Sequence, residues 1–398
     1  MRKKFRCIGA ECEDVCCRGW EVTIDKETYR RYDSRAALCS RMLECFEIIP
    51  RNENEKRYAR IKLTPAHICP FLLEEGLCAI HKDYGEEYLS ETCATYPRCS
   101  RRIDGLIEKP LTLSCPEAAR LVLFHPELLP GYRRRNGDRG YGRLLALPDP
   151  PVCASADPAR FFWNIREFVL LLVQDPIYSL WERLFILGML CNKLDERIAE
   201  GRAAPIAQLL RDYAQIVVDG RLKSGTASIA TRTDAQVTMV LETVHRHLAR
   251  AQSDRIRACL EDFRIGIGYT ETSAADDLAK PYAEAYSRYY APFMEQHPHV
   301  FENWLVNYVF RNRFPFGKMT EHEGSMQNEY VFLCLEFAII KGLLIGIAGR
   351  YREAFCLDHV VKVVQSVAKA IEHYEPLREI INWKGLSEPI SMAALLKN

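Results

Sequence analysis

The cysteines of this chain are crowded into its first part. Eleven of the sixteen lie among the first 115 of 398 residues, and Cys16 and Cys17 are adjacent. A buried thiol that serves only to pack has no reason to gather with others. The crowding therefore indicates a shared chemical task, and the candidates are a disulfide framework, a zinc site or an iron–sulfur cluster.

The amino terminus and the net charge bear on the choice among these candidates. The basic start, Arg2-Lys3-Lys4, is followed by no apolar run of the kind that a secretory signal needs. We therefore expect a cytoplasmic protein, in which persistent disulfides are rare and metal binding is favoured over cross-linking. The formal charge of +1 gives no general attraction to nucleic acid or to anionic lipid, and neither partner is expected.

The most apolar stretch, Val331 to Gly349, contains Glu336 and Lys341, so it predicts a buried helix rather than a membrane span.

Three segments are predicted, and the fold class is mainly α. Residues 1–130 have short apolar stretches between turns and form an irregular cysteine-rich, metal-binding module. Residues 131–156 are rich in Gly, Pro and Arg and are predicted to be a linker. In residues 157–398 apolar side chains recur at helical spacing, as at Phe162, Ile165, Val169 and Leu172, which predicts a multi-helix domain.

Helix boundaries in the third segment are predicted from caps and breaks. Asp157-Pro158 and Asp175-Pro176 each place a capping carboxylate before a proline at the first helical position. Breaks near residues 201–205, 219–233, 265–281 and 313–328 leave about eight helices. Ile265-Gly266-Ile267-Gly268 is the nearest approach to a nucleotide-binding glycine turn, but it lacks the third glycine and the preceding strand.

The candidate metal ligands come from three groups of cysteines. They are Cys12, Cys16, Cys17, Cys69, Cys78 and Cys93, with Cys7 as a further candidate. Thiolates from several tight turns suit a tetrahedral metal or a cluster. Because adjacent side chains diverge, Cys16 and Cys17 are not expected to bind one ion together. Either they serve different metals, or one of them packs. His67 and His81 are possible ligands, but an ordinary polar role is the favoured interpretation for both.

The spacing alone leaves zinc and iron–sulfur chemistry open. Structural zinc sites usually show two ligand pairs spaced two to four residues apart, and that arrangement is missing. The Cys-x3-Cys-x2-Cys motif of radical adenosylmethionine enzymes begins at Cys12 and Cys16 but meets Gly19 at its third position. The roles of Cys99 and Cys115 stay open. The other cysteines are predicted to pack: Cys39, Cys45, Cys153, Cys191, Cys259, Cys334 and Cys356.

These motifs resemble a known family. The string that runs from Cys12 through Cys16-Cys17-Arg18-Gly19-Trp20 to Asp25 is similar to the amino terminus of the flagellin lysine-N-methylases. They lie within a broader group of bacterial proteins defined by a cysteine cluster that ends in Cys-Cys. The blocks at residues 69–72, 76–81 and 93–98 resemble later blocks of that group, in the same order. Residues 302–308, 314–316 and the helix after Tyr330 resemble the methylase branch.

The resemblance implies methyl transfer from S-adenosylmethionine to lysine side chains of flagellin before export, with a [4Fe-4S] cluster held by the cysteines. Trp20, Tyr96 and Arg98 neighbour the candidate ligands. They are candidate contacts of the cofactor or substrate, or else packing residues around the cluster. The alternative is a non-catalytic zinc- or iron–sulfur-binding protein whose helices dock a partner.

Overall fold

The computed structural model describes residues 5–34, 44–50, 55–126, 128–129, 140–148, 158–200, 205–246, 253–317, 325–373 and 389–397. Two compact units are present. The first comprises Met1–Leu121, Val244–Glu261 and Leu357–Pro376, and the second comprises Val122–Thr243, Asp262–Cys356 and Leu377–Asn398. The first unit thus includes two segments from the predicted helical domain, because periodicity predicts a helix without saying which core it joins. The predicted linker, 131–156, lies outside the described residues except for 140–148.

The strands are short and belong to the first unit. β1 (Thr23–Ile24), β2 (Phe46–Ile48) and β3 (Ala59–Ile61) form an antiparallel sheet in the order β1-β3-β2, with Ile24 opposite Ala59 and Phe46 opposite Ile61. β4 (Arg101–Ile103) and β5 (Leu106–Glu108) form a separate hairpin. Side chains alternate across β3, so that Ala59 and Ile61 enter the core while Arg60 stays exposed.

Helices account for most of the described chain, which confirms the mainly α prediction. They are α1 (Lys26–Asp33), α2 (Ala79–Tyr84), α3 (Glu91–Thr95), α4 (Pro116–Leu123), α5 (Gly142–Leu145), α6 (Phe162–Val173), α7 (Leu180–Ala199), α8 (Pro205–Val218), α9 (Leu222–Ala227), α10 (Thr233–Arg246), α11 (Asp254–Gly266), α12 (Ala275–Ala285), α13 (Ala291–Glu295), α14 (His299–Asn312), α15 (Met326–Tyr351), α16 (Leu357–His373) and α17 (Pro389–Leu396). A π-helical turn, Tyr286–Tyr290, joins α12 to α13.

The core of the first unit lies between the three-stranded sheet and the loops that follow it. Val22, Ile24, Tyr32, Phe46 and Phe71 are buried there. The aromatic rings pack in sequence: Tyr32 stacks on Phe46 at 5.8 Å between ring centroids, and Phe46 lies 5.6 Å from Phe71. This core is small, so the loops that carry the cysteines depend on hydrogen bonds as well as on apolar burial.

The second unit is built around α15. Among the described residues, one helical stretch, Met326–Ala354, has the length and mean hydropathy (2.3) to cross a membrane, and 83% of its apolar window is buried inside the protein. The predicted buried helix is therefore confirmed. The predicted stripe on α6 is also confirmed, because Phe162, Ile165, Val169 and Leu172 are all buried.

Several predicted helix boundaries are wrong. No helix begins at Pro176: α7 begins after Ser179, whose backbone N–H and hydroxyl both donate to Glu182 in a capping box. Asp175 instead accepts a hydrogen bond from the backbone N–H of Ile177 in the preceding turn. Pro281 lies inside α12 rather than in a break. Asp157 lies outside the described residues. Twelve helices, more than the predicted eight, are described after residue 157, because helices such as α9 and α12 lie across the predicted breaks.

Candidate metal centre

Five cysteines from the three predicted groups line one cavity in the first unit: Cys16, Cys17, Cys69, Cys78 and Cys93. The rest of the lining is almost entirely apolar and aromatic, and it includes Trp20 and Tyr96. The cavity volume is about 30 Å³. The structure thus brings together thiols that lie up to 77 positions apart in the chain.

Backbone pairing explains how the first two cysteine groups meet. The N–H of Cys69 donates to the carbonyl of Cys17 at 2.9 Å, and the N–H of Gly19 donates to the carbonyl of His67 at 2.9 Å. Arg18 and Ile68 form an antiparallel bridge between these two bonds. The two segments therefore lie side by side, and Cys16 and Cys17 are fixed next to Cys69.

A tight turn places Cys78 at the same cavity. The N–H of Leu73 donates to the carbonyl of Leu77 at 2.8 Å, and the N–H of Ala79 donates to the carbonyl of Phe71 at 2.8 Å. Gly76 has φ +80° inside this turn, a conformation that favours glycine. Cys78 lies opposite Leu72 and just before the first residue of α2.

Cys93 is held by capping interactions at the start of α3. The Ser90 hydroxyl accepts a hydrogen bond from the Cys93 N–H at 3.2 Å. The Asp25 carboxylate caps α1 by accepting from the N–H of Thr28 at 2.8 Å, and it also accepts from the N–H of Glu91 at 3.0 Å. One aspartate therefore ties the first turn of α3 to the first turn of α1.

The thiols differ in their acidity. A hydrogen bond from Cys17 lowers the pKa of Cys16 to about 7, and the charge of Lys369 acts in the same direction. The pKa of Cys17 is raised by its hydrogen bonds to Cys16 and Cys69. Burial raises the pKa of Cys93 to about 12 and also raises the pKa of Cys78. Because metals bind thiolates, metal uptake at this cavity would release protons.

A polar cluster from distant parts of the chain adjoins Cys16. The Lys369 ammonium of α16 lies 2.9 Å from both carboxylate oxygens of Asp14. The Gln365 amide donates to Asp14 at 2.6 Å and to the carbonyl of Ser114 at 2.9 Å. Sequence reasoning missed these residues. The pattern that could have revealed them is a glutamine and a lysine four positions apart, which lie on one face of a valine-rich helix.

The predicted cofactor candidates occupy different positions. Trp20 and Tyr96 both line the cysteine cavity, with ring centroids 5.5 Å apart. The Trp20 indole N–H donates to the carbonyl of Cys16 at 2.6 Å, which folds the ring back over the cysteine segment. Arg98 does not line the cavity, and its guanidinium lies 4.8 Å from the centre of the Phe5 ring.

Two predicted ligands lie away from the cavity lining. Cys12 is half-buried and its thiol donates to the carbonyl of Asp14 at 3.4 Å, while Cys7 is exposed. His67 and His81 are also absent from the lining, as expected for ordinary polar residues.

The remaining cysteines mostly follow the packing prediction. Cys191, Cys259 and Cys334 are buried, and Cys45 packs against the core of the first unit. Cys356 is exposed, so a packing role is wrong for it, because it lies in the short turn just before α16. Cys39 and Cys153 lie outside the described residues. Cys115 is buried and Cys99 is half-buried.

The thiols as placed do not form a site for one metal ion. Among the residues that the structure describes, no three or more His, Cys, Asp or Glu side chains are grouped so as to hold one. Four sulfurs bound to zinc at about 2.3 Å would lie about 3.8 Å from one another. The cavity therefore gathers thiols around a shared space without the tight arrangement that a single ion requires.

Comparison with known proteins gives matches to one family. The helical part, residues 166–395, matches the FliB lysine N-methylase C-terminal domain, which is more than half of the chain. A stretch of 127 residues is 34% identical to a lysine-N-methylase of Salmonella typhimurium, which is 32% of this chain and 32% of that protein. A similar stretch is 34% identical to a flagellar biosynthetic protein, FliU, of Salmonella muenchen, which is 31% of this chain and 75% of that protein.

The coverage of these matches is uneven. The matched stretch spans about a third of the Salmonella lysine-N-methylases, including that of Salmonella choleraesuis. No solved structure matches the chain. The domain match covers residues 166–395, where the sequence resemblance was least distinctive. The chain belongs to the FliB lysine N-methylase family.

Proposed function

We propose that the protein transfers methyl groups from S-adenosylmethionine to lysine side chains of flagellin, in the cytoplasm before export. The observation that carries the proposal is the match of residues 166–395 to a lysine N-methylase domain. The name of the FliU relative, a flagellar biosynthetic protein, supports a flagellar substrate. We further propose that the cysteine cavity holds an iron–sulfur cluster.

The donor set of the cavity supports a cluster. Its metal-binding side chains are five thiols, with no imidazole or carboxylate among the lining residues, and thiolates select zinc or iron–sulfur centres. In a four-iron cluster each cysteine binds a different iron, so the sulfurs need not converge on one point. Among the described residues no single-ion group is present, and a cluster does not require one.

Cys16, Cys17, Cys69, Cys78 and Cys93 are the residues that would supply its ligands. When bound, a cluster would supply either an iron position for the amino and carboxylate groups of the methyl donor or a staple for the surrounding loops.

The proposed reaction is a direct displacement at the methyl carbon. The lysine nitrogen forms a bond to the methyl group while the carbon–sulfur bond breaks, which leaves S-adenosylhomocysteine. The attacking amine must be neutral, although the pKa of an exposed lysine is about 10.4. Burial can shift this equilibrium, and the chain itself shows the effect, because burial lowers the pKa of Lys341 to about 7.

The test is methylation of flagellin in a defined mixture. Protein purified without oxygen is incubated with flagellin from the same organism and labelled S-adenosylmethionine, and flagellin peptides are analysed by mass spectrometry. We expect increments of about 14 daltons on lysines, with S-adenosylhomocysteine formed in equal amount. An unmodified flagellin, with the metal centre intact, would refute the proposed activity. Formation of 5′-deoxyadenosine would refute direct displacement and indicate radical chemistry.

A further inference from the structure

A buried ion pair fixes the segment that carries the first cysteines. The Lys369 ammonium lies 2.9 Å from both Asp14 oxygens, and the two side chains are only 6% and 12% exposed. Gln365, which is fully buried, donates to the same carboxylate at 2.6 Å. Both carboxylate oxygens of Asp14 therefore accept hydrogen bonds from α16.

Burial of such a pair is costly unless its geometry is good. Removing two charges from water costs several kcal/mol, and only close contacts with further hydrogen bonds recover that cost. Asp14 lies between Cys12 and Cys16 in the chain, so a contact at this residue acts directly on the cysteine segment. The ion pair therefore lies where it can hold the candidate ligands Cys12 and Cys16 in place.

Apart from the backbone hydrogen bond between Cys69 and Cys17, the cysteine segment has few other anchors. From residue 5 to residue 17 only Phe5 is buried, and the segment contains one short 3-10 turn, Gly9–Glu11. The neighbouring Glu13 pairs with Arg120, but both side chains are about 30% exposed, and exposed pairs contribute little. Of the ion pairs described in this segment, Asp14–Lys369 is the most buried.

We propose that Lys369 is a positioning residue of the cysteine site. It fixes the Cys12–Cys17 segment through Asp14, and its ammonium offsets the negative charge that thiolates bring when they bind a metal centre. The first role stands without the proposed function, whereas the second rests on it. The proposal also explains why α16, more than 340 residues after Cys16, belongs to the same compact unit.

The first role is tested on the metal-free protein by hydrogen exchange. We compare wild type with Lys369→Met, with Lys369→Arg and with Lys362→Met, a control on the same helix. Peptides that cover Cys12–Cys17 should exchange about tenfold faster or more in Lys369→Met. Peptides from β3 and α1, which belong to the same unit as Lys369, should be unchanged, which shows that this unit of the variant is folded. Lys369→Arg should restore most of the protection, and Lys362→Met should match wild type. Wild-type exchange of the cysteine peptides in Lys369→Met would overturn the proposal.

The second role is tested by loss of iron to a chelator. After loading without oxygen, Lys369→Met should lose iron about tenfold faster than wild type, and Lys369→Arg should lie within about twofold of wild type. The double variant Asp14→Asn with Lys369→Met has no unpaired charge, so it separates folding from charge balance: it should remain folded and still lose iron quickly. Equal rates in wild type and Lys369→Met would overturn the charge role. A wild type that takes up no iron would refute the proposed cluster, while the exchange measurement would still decide the positioning role.

Discussion

Gly266 lies where α11 crosses α15, and its replacement by alanine tests how the second unit is packed. A Cβ at Gly266 would overlap the carbonyl oxygen of Gly346 and would lie 2.7 Å from its carbonyl carbon and 2.8 Å from the nitrogen of Arg350. These obstacles are backbone atoms, which cannot rotate aside. The two helices must therefore separate.

The cost of this separation follows from the packing. Overpacking usually costs about 1–3 kcal/mol, and the upper end applies because α15 is buried along most of its length. Gly266 is the last residue of α11, so alanine gains little helical stability there. We expect Gly266→Ala to lower the free energy of unfolding by about 3 kcal/mol, or the Tm by about 6–12 °C for a unit of this size.

The assay is thermal unfolding followed by far-ultraviolet circular dichroism, with Gly225→Ala as the matched control. Gly225 lies in α9, and an added Cβ there meets no heavy atom within 4 Å. This control should be neutral or more stable by about 0.4–1 kcal/mol. A Tm for Gly266→Ala equal to or above that of wild type would refute the close crossing of α11 and α15.

Three further predictions concern buried charges and thiols. Burial lowers the pKa of Lys341 from 10.5 to about 7, so the unfolded chain binds more protons between these values and stability should rise with pH there. Lys341→Met should flatten that rise when the free energy of unfolding is measured in urea at several pH values. A pH dependence equal to that of wild type would contradict this prediction. Arg183→Met, which removes a 2.7 Å ion pair with Glu302 in a buried site, should cost about 3–5 kcal/mol. Replacing both partners with apolar residues should recover most of this loss, and a double variant as unstable as the single one would count against the reasoning. Cys69→Ser should prevent metal loading and Cys356→Ser, an exposed control, should not; equal iron contents in the two variants would exclude Cys69 as a ligand.

The sequence predicted most of the thiols that gather at the cavity, but not the residues around them. Cysteine is a rare residue type whose crowding has few explanations, so Cys69, Cys78 and Cys93 were recognisable without a structure. The cysteines are brought together by backbone hydrogen bonds, such as the one that the N–H of Cys69 donates to the carbonyl of Cys17. Any residue type can form such a bond, so the sequence does not reveal it. Lys369 was missed because a lysine in a helix is usually solvated, and its partner Asp14 is more than 350 positions away.

Helix patterns were predicted well and their ends less well. The apolar stripe of α6 and the buried α15 both follow from side-chain periodicity, which repeats over many residues. The start of a helix, in contrast, depends on only one or two residues. Before α7 the sequence offers two possible caps, Asp175 and Ser179. The Ser179–Glu182 capping box forms there instead of a start at Asp175-Pro176, because it satisfies two backbone groups reciprocally.

The central claim is that the cavity in the first unit holds an iron–sulfur cluster, with its ligands drawn from five cysteines: Cys16, Cys17, Cys69, Cys78 and Cys93. Its most direct test is the iron, sulfide and zinc content of the protein purified without oxygen, with the absorption spectrum recorded on the same sample. The account predicts about four iron and four sulfide per chain, with broad absorption near 400 nm. Stoichiometric zinc without iron or sulfide would contradict it.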